Sequence, residues 1–141
     1  MNPYLNFNGD CAEAFASYQK IFGSPAPVIM TYDNSPMADM VPAKDHGKVM
    51  HAELEIGGVT LMGADAVCDT PEHPELGYFK PQGITVTVNI EAPEEADRVF
   101  TALSEGGTIQ MPMEETFWAK RFGMCTDRFG IPWMINGVEA E

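Results

Sequence analysis

The sequence predicts an α+β fold in which two βαβββ modules form a curved mixed sheet around a concave pocket. Two observations predict it. The order of a strand, a helix and three further strands occurs twice along the 141 residues, and neither half has enough strands to bury its apolar face alone. With 45% apolar and 21% charged residues, the chain has the composition of a soluble globular protein. We expect one domain over residues 1–141, with module one at 3–65, a linker at 66–82 and module two at 83–137.

The first half opens with a strand in which Leu5 and Phe7 alternate with more polar residues. A helix follows, with Asp10 as the expected N-cap, Gly23 as the expected C-cap, and a buried stripe at helical spacing. That stripe consists of Cys11, Ala14, Phe15, Tyr18, Ile21 and Phe22. Residues 28–32 are predicted as a strand and residues 33–47 as a loop. A hairpin then turns at Gly57-Gly58, and its first strand should bury Met50, Ala52, Leu54 and Ile56.

The second half repeats this order after a proline-bearing stretch over residues 66–82. The strand at 84–90 has an apolar face that includes Ile84, and Pro93 suits the first turn of the next helix. The buried stripe of that helix is predicted to be Ala96, Val99, Phe100 and Leu103. A strand at 108–113 and a hairpin of strands 121–126 and 131–135 complete the module.

The charge balance excludes two classes of partner. The 21 acidic and eight basic residues give a formal charge of -13, which repels phosphate backbones and anionic lipid surfaces. We therefore expect neither nucleic acid nor membrane as a partner. Three cysteines without CxxC spacing argue against a disulfide framework and a zinc ribbon, and they fit a reducing cytoplasm. The N-terminus lacks the pattern of an export signal, and no apolar stretch is long enough to span a membrane.

Several motifs resemble one known family. They are PYLNFNGDCAEA at residues 3–14, HAELEIGG at 51–58, LMGAD at 61–65, ETFWAKRFG at 115–123 and TDRFGIPWMIN at 126–136. In this order they are similar to the PhnB-like branch of the vicinal oxygen chelate superfamily, from Pro3 to Asn136. The resemblance implies paired βαβββ modules, a homodimer, and kinship with glyoxalase I, extradiol dioxygenases, fosfomycin-resistance enzymes and bleomycin-binding proteins. PhnB-like proteins often carry a methyltransferase label, which we do not adopt because no glycine-rich loop follows a strand here.

The resemblance also implies where a metal would bind, namely on the first and last strands of each module. The residues expected to face the pocket there are Tyr4, Asn6, Thr60, Met62, Thr85, Thr87, Asn89, Pro132, Met134 and Asn136. Thioethers, hydroxyls and amides lack the charge and basicity that hard divalent ions need for tight binding. We therefore expect no cofactor and no metal at the customary site.

His51 and Glu53 are the candidate catalytic pair. They are two residues apart on a predicted strand, so their side chains face the same way and could share a proton or a substrate. The alternatives are a polar strand face in water or at a dimer interface, and a displaced metal site built on these two residues. His46 and His73 are expected to be solvated loop residues, and Cys68 lacks a cationic neighbour in the sequence.

The run from Glu115 to Phe122 is the second candidate cluster. Its aromatic residues beside Lys120 and Arg121 could stack on a small molecule and pair with its anionic group. The alternative is that Phe117, Trp118 and Phe122 pack in the core or at a dimer interface. Trp133 is assigned to the core.

Two hypotheses follow. In the first, the protein is a metal-free small-molecule-binding protein whose ligand site includes Tyr4, Met62, Thr87, Glu115, Trp118, Arg121 and Met134. In the second, it is a lyase or isomerase that acts on a small polar metabolite through His51 and Glu53, directly or around a recruited metal. Both expect a cytoplasmic homodimer with a small-molecule partner.

Overall fold

The computed structural model describes residues 1–137, which form two compact units, Met1–Phe79 and a second unit that begins at Lys80. The division lies inside the stretch predicted as a linker, residues 66–82. The last four residues of the predicted domain, 138–141, lie outside the described residues. Within the described chain, neither helix has the length and apolar character that crossing a lipid bilayer requires.

The first unit has the order strand, helix and three strands. Its elements are β1 (Tyr4–Phe7), α1 (Cys11–Phe22), β2 (Val28–Thr31), β3 (Val49–Ile56) and β4 (Val59–Asp65). The sheet order is β1-β4-β3-β2, with β1 parallel to β4 and the other pairs antiparallel. The predicted loop between β2 and β3 contains three short 3-10 turns.

Helix α1 covers one face of this sheet. The predicted stripe is buried from Cys11 to Ile21, whereas Phe22, also predicted to be buried, is only half-buried. The stripe packs with buried strand residues, namely Leu5, Phe7, Ala52, Leu54 and Leu61. Gly63 permits the closest approach, because a Cβ there would lie 2.9 Å from the Phe15 ring and 3.0 Å from the Leu5 carbonyl oxygen. The face that bears Tyr4 and Asn6 is therefore the open face of the sheet.

The structure corrects two local predictions in this unit. Val49, not Met50, takes the buried position on β3, because the register shifts between the pairs Met30–His51 and Thr31–Val49. The shift inserts one extra residue, as a β-bulge does. Gly23 does close α1 in the left-handed conformation, at φ 64°.

The second correction concerns the start of α1. Asp10 occupies the N-cap position, but its side chain makes no capping hydrogen bond. The distant Asp65 carboxylate does this instead, since its Oδ1 accepts the N–H groups of Gly9 and Cys11 at 3.0 Å each. Its Oδ2 accepts the Val49 N–H at 2.9 Å.

The second unit repeats the pattern. Its elements are β5 (Val86–Ile90), α2 (Pro93–Ser104), β6 (Thr108–Glu114), β7 (Arg121–Thr126) and β8 (Pro132–Gly137), with sheet order β5-β8-β7-β6. The predicted stripe of α2 is buried, as is Trp133 at 1% exposure. Ile84 is a correction, because it precedes β5 and is 78% exposed. The two mixed sheets and two helices confirm the predicted α+β class with two βαβββ modules.

Candidate functional site

The open face of the first sheet carries one continuous row of side chains. The register pairs Tyr4 with Met62, Met62 with Glu53, and Glu53 with Val28, so the row crosses all four strands. His51, two residues before Glu53, lies on the same face and pairs with Met30 on β2. The row therefore sets polar groups among apolar ones, as binding surfaces for small molecules do.

Tyr4, His51 and Glu53 form a hydrogen-bonded chain on this face. The Tyr4 hydroxyl lies 3.1 Å from His51 Nδ1, and His51 Nε2 lies 3.0 Å from Glu53 Oε1. The two rings also contact each other, with centroids 5.7 Å apart. When the imidazole is neutral, this arrangement selects one tautomer, in which Nδ1 accepts from the phenol and Nε2–H donates to the carboxylate.

Burial supports these donor and acceptor roles. It is the largest cause that raises the pKa of Tyr4, followed by the neighbouring Cys11 and Tyr32. The phenol therefore stays protonated near neutral pH and remains a donor. The side chains of His51 and Glu53 are 23% and 42% exposed, so water and small solutes can reach both.

This geometry can do two kinds of chemistry. A ligand can form a hydrogen bond with either end of the Tyr4–His51–Glu53 chain, at the Glu53 carboxylate or at the Tyr4 oxygen. A bound molecule can also exchange a proton with His51, because Tyr4 and Glu53 continue the path on either side of the imidazole. Of the sequence-predicted site residues, the structure brings Tyr4, His51, Glu53 and Met62 together.

Thr87 and Met134 meet on the open face of the second sheet. They are register partners on β5 and β8, and the Thr87 hydroxyl lies 3.7 Å from the Met134 sulfur. The next row holds Asn89 and Asn136, whose side chains are joined by a 3.0 Å hydrogen bond. The Asn136 Oδ1 atom is buried, and no hydrogen-bond partner for it occurs among residues 1–137.

The aromatic run forms a ladder of three rings. Trp118 packs edge to face against Phe117 at 4.7 Å and against Phe122 at 5.2 Å. Phe117 is 92% exposed and Trp118 is 44% exposed, so both offer ring surface to solvent. Glu115 is also exposed.

Arg121 lies apart from the other predicted ligand-binding residues of this unit. It occupies the same face of β7 as the buried Gly123 and Cys125, whereas Phe122 faces the opposite way. Its Nε donates to Asp97 Oδ1 of α2 at 2.8 Å. This ion pair ties β7 to α2 on the helix side of the sheet, and the role of Arg121 as a ligand contact stays a prediction.

On the first and last strands, where the resemblance places a metal, the donors do not fit a divalent ion. In the first unit they are a phenol and an amide on β1 and a hydroxyl and a thioether on β4, which divalent ions bind weakly. Over residues 1–137 no three His, Cys, Asp or Glu side chains are grouped so as to hold an ion. We therefore derive no chemical step through a metal.

The cysteines divide into two kinds. Cys11 and Cys125 are buried, and burial is the largest cause that raises the pKa of each, to about 12 for Cys11. Such thiols are poor nucleophiles. Cys68 is partly exposed and has a positive φ of 62°.

Sequence reasoning missed two features of the first unit. The Tyr4 hydroxyl reaches His51 although β4 lies between their strands, and no local pattern encodes that contact. The side chains of Lys44, Asp45 and Lys48 line a cavity, yet the first two lie in the predicted loop at 33–47 and Lys48 lies directly after it, where the sequence marks no site. His46 and His73 occupy loops as predicted, and His73 pairs with Glu75 at 3.1 Å on the surface.

Comparisons with known proteins give the family. A family model described as 3-demethylubiquinone-9 3-methyltransferase matches residues 1–136. Protein YjdN of Escherichia coli is 32% identical over the whole of this chain and 97% of its own length. The structure of PA1353 from Pseudomonas aeruginosa is 40% identical with a TM-score of 0.85, over 99% of this chain and 98% of that one.

Two further structures extend the relationship. The PhnB protein from Bacillus cereus is 27% identical with a TM-score of 0.74, over 98% of both chains. A glyoxalase/bleomycin resistance protein/dioxygenase family enzyme from Burkholderia phytofirmans shares the fold, with a TM-score of 0.62 at 15% identity over 97% of this chain and 96% of that one. The chain therefore belongs to the PhnB-like family, and it shares the fold of the glyoxalase/bleomycin resistance protein/dioxygenase family enzyme.

Proposed function

We propose that the protein binds a small polar molecule on the open face of its first sheet, without the usual metal of the superfamily. One observation carries the proposal: the hydrogen-bonded chain of Tyr4, His51 and Glu53 stands beside Met62 in a row of otherwise apolar side chains. Polar groups held in place by one another fix the orientation of a ligand at low entropic cost, and the thioether supplies adaptable apolar contact.

A thermal-shift screen of polar metabolites tests this proposal. A ligand at 100 times its dissociation constant stabilises the fold by about 2.7 kcal/mol, which raises Tm by several degrees. We expect His51→Ala to weaken binding of the hit by about tenfold or more, since about 1.4 kcal/mol is lost with the central hydrogen bonds.

The chain offers a matched control for this experiment. His73 and Glu75 form a second histidine–glutamate pair at the same spacing, but their side chains are 63% and 65% exposed. His73→Ala should leave the affinity for the hit unchanged. Equal losses in His51→Ala and His73→Ala would contradict a site at His51.

Metal content tests the other half of the proposal. After dialysis against manganese, nickel, zinc and iron salts, we expect no stoichiometric metal by plasma mass spectrometry. Stoichiometric retention that disappears in His51→Ala would overturn the metal-free proposal and favour a displaced site.

The second candidate function is a lyase or isomerase that uses His51 as a general base. The observation that favours it is that both imidazole nitrogens contact titratable groups, a phenol on one side and a carboxylate on the other. In this orientation a proton can leave carbon next to a carbonyl for the Tyr4 oxygen while the phenol passes its own proton to Nδ1 of His51, and Glu53 then stabilises the imidazolium.

Proton exchange measures this activity directly. Candidate carbonyl metabolites are incubated with the protein in deuterium oxide, and loss of the carbon-bound proton is followed by NMR. We expect exchange that falls by about 10²–10⁴-fold in His51→Ala and is unchanged in His73→Ala. Exchange that persists in His51→Ala would exclude His51 as the base.

We also propose a cytoplasmic homodimer. Its support is the apolar side chains of the edge strand β2, where Val28 is 56% and Met30 42% exposed. Light scattering should give twice the 15.5 kDa chain mass at micromolar concentration, and the mass of one chain would contradict the proposal.

A further inference from the structure

A cavity of about 300 Å³ lies within the first unit and shares no residue with the Tyr4–His51–Glu53 chain. Three segments form its wall: the end of β1, the loop before β3, and the chain that follows β4. The lining residues include Asn8, Lys44, Asp45, Lys48, Cys68 and Asp69. This volume is at the small end of the range for ligand sites, about 300–1,000 Å³.

Two lysines stand on one side of this cavity around a buried carboxylate. Asp45 is 2% exposed, and its Oδ1 lies 3.0 Å from the Lys48 ammonium. Its Oδ2 accepts the Cys68 N–H at 3.3 Å. Burial alone would raise the pKa of Asp45, but the hydrogen bonds from Lys48 and Cys68 and the charges of both lysines lower it.

These contacts leave donors for a ligand. Protein groups occupy both oxygens of Asp45, whereas the Lys48 ammonium has three N–H bonds and, within residues 1–137, directs one of them to Asp45. Lys44 adds a second ammonium, whose charge also lowers the pKa of Asp45. Two of the eight basic residues of a chain with 21 acidic ones thus line one small cavity.

Acceptors also line the cavity. The Asp69 carboxylate packs against Gly77, where a Cβ would lie 2.9 Å from its Cγ, so the backbone holds this side chain in place. Asn8 adds an amide, which can donate or accept. With two ammonium groups and two carboxylates the wall is neutral as a whole, which disfavours a polyanion and suits a ligand with one anionic group and a separate hydrogen-bond donor.

We propose that this cavity binds a small organic acid that carries a hydroxyl or amino group, with its carboxylate against Lys44 and Lys48 and its donor toward Asp69. The site is independent of the function proposed for the open sheet face. It needs no metal and no partner subunit.

Cys68 reports occupancy of the cavity. It lines the wall and is partly exposed, whereas Cys11 and Cys125 are buried. Alkylation by iodoacetamide, followed by mass spectrometry of the peptides, therefore measures access to this one thiol. L-lactate and L-serine are the probes, their methyl esters are the controls without a carboxylate, and sodium chloride keeps the ionic strength constant.

We expect lactate or serine to slow alkylation of Cys68 in a saturable manner, and the methyl esters to have no effect. Lys44→Gln should raise the concentration for half-protection by about tenfold, because it removes one ammonium. Lys20→Gln, an exposed lysine in the last turn of α1, is the matched control and should behave as the wild type. Lys44 is preferred to Lys48 because Lys48 also neutralises buried Asp45, and circular dichroism checks that each variant folds.

Three outcomes would overturn the proposal. One is no protection by either acid. Another is equal protection by sodium chloride or by the methyl esters. The third is protection by inorganic phosphate but by neither organic acid, which would assign a different ligand class to the cavity.

Discussion

Asp65→Asn is the perturbation whose effect the structure defines best. The Asp65 carboxylate is 4% exposed and accepts three backbone N–H groups, from Gly9, Cys11 and Val49, at 2.9 to 3.0 Å. It thereby joins the end of β4 to the start of α1 and to the start of β3. An asparagine keeps one acceptor oxygen and turns an NH2 group toward at least one of these N–H donors.

The magnitude follows from that mismatch. A hydrogen bond to a charged group is worth about 1.5–3 kcal/mol, and a buried N–H without a partner costs about 1–3 kcal/mol. We expect Asp65→Asn to lower the free energy of unfolding by about 2–4 kcal/mol, because the two effects overlap at one donor. This is a large share of the free energy of unfolding of a typical domain, which is about 5–15 kcal/mol.

Urea denaturation followed by circular dichroism measures the change, and Asp10→Asn is the matched control. Asp10 lies beside the same helix start, but its Oδ1 is buried and has no hydrogen-bond partner in the described part of the chain. Burial is the largest cause that raises the pKa of Asp10, and the charge of Asp65 adds to it. Removing the Asp10 charge should therefore leave stability unchanged or raise it slightly. If Asp65→Asn changed stability no more than Asp10→Asn does, the assigned cap would be refuted.

Three further changes have defined outcomes. Asp45→Asn should make the free energy of unfolding less dependent on pH in the acid range. The fold lowers the pKa of Asp45, so the stability that this carboxylate contributes is complete above its unfolded pKa and is lost as pH falls through its folded pKa. Urea midpoints across acidic pH measure this, and an unchanged slope would contradict it. Gly63→Ala should destabilise by about 1–3 kcal/mol, since its Cβ would meet the Phe15 ring at 2.9 Å; a stabilised variant in thermal unfolding would exclude that clash. Trp133→Phe removes the 2.8 Å hydrogen bond from the indole to Asp127 Oδ2 and should cost about 1.5–3 kcal/mol in urea titration, whereas a neutral effect would mean that water replaces the indole.

The functional residues were predictable to different degrees. Apolar and polar residues alternate along β3, and this pattern, which is visible in the sequence, places His51 and Glu53 on one face of the strand. Arg121 shows the limit of the approach. Its neighbours in sequence predict a ligand contact, which stays a prediction, but they do not reveal that strand parity turns Arg121 toward α2, where Asp97 pairs with it. A charged residue near aromatics does not reveal which face of a strand it occupies.

Periodicity and turn chemistry determined most of the architecture. The stripe of α1, the left-handed Gly23 and the glycine turn of the β3–β4 hairpin are local features, and each appears where the sequence predicts it. Such features depend on neighbours within a few residues, so a linear pattern contains them.

Tertiary structure alone decided the contacts between distant segments. The chain separates Asp65 from Cys11 by 54 residues and Tyr4 from His51 by 47, and only the strand order of the sheet brings each pair within hydrogen-bond distance. The Lys44–Asp45–Lys48 wall needs the loop before β3 to fold against the segment after β4. Sequence spacing sets which face a side chain occupies, but the partner that it meets there depends on how the strands are ordered, and that order is a property of the whole fold.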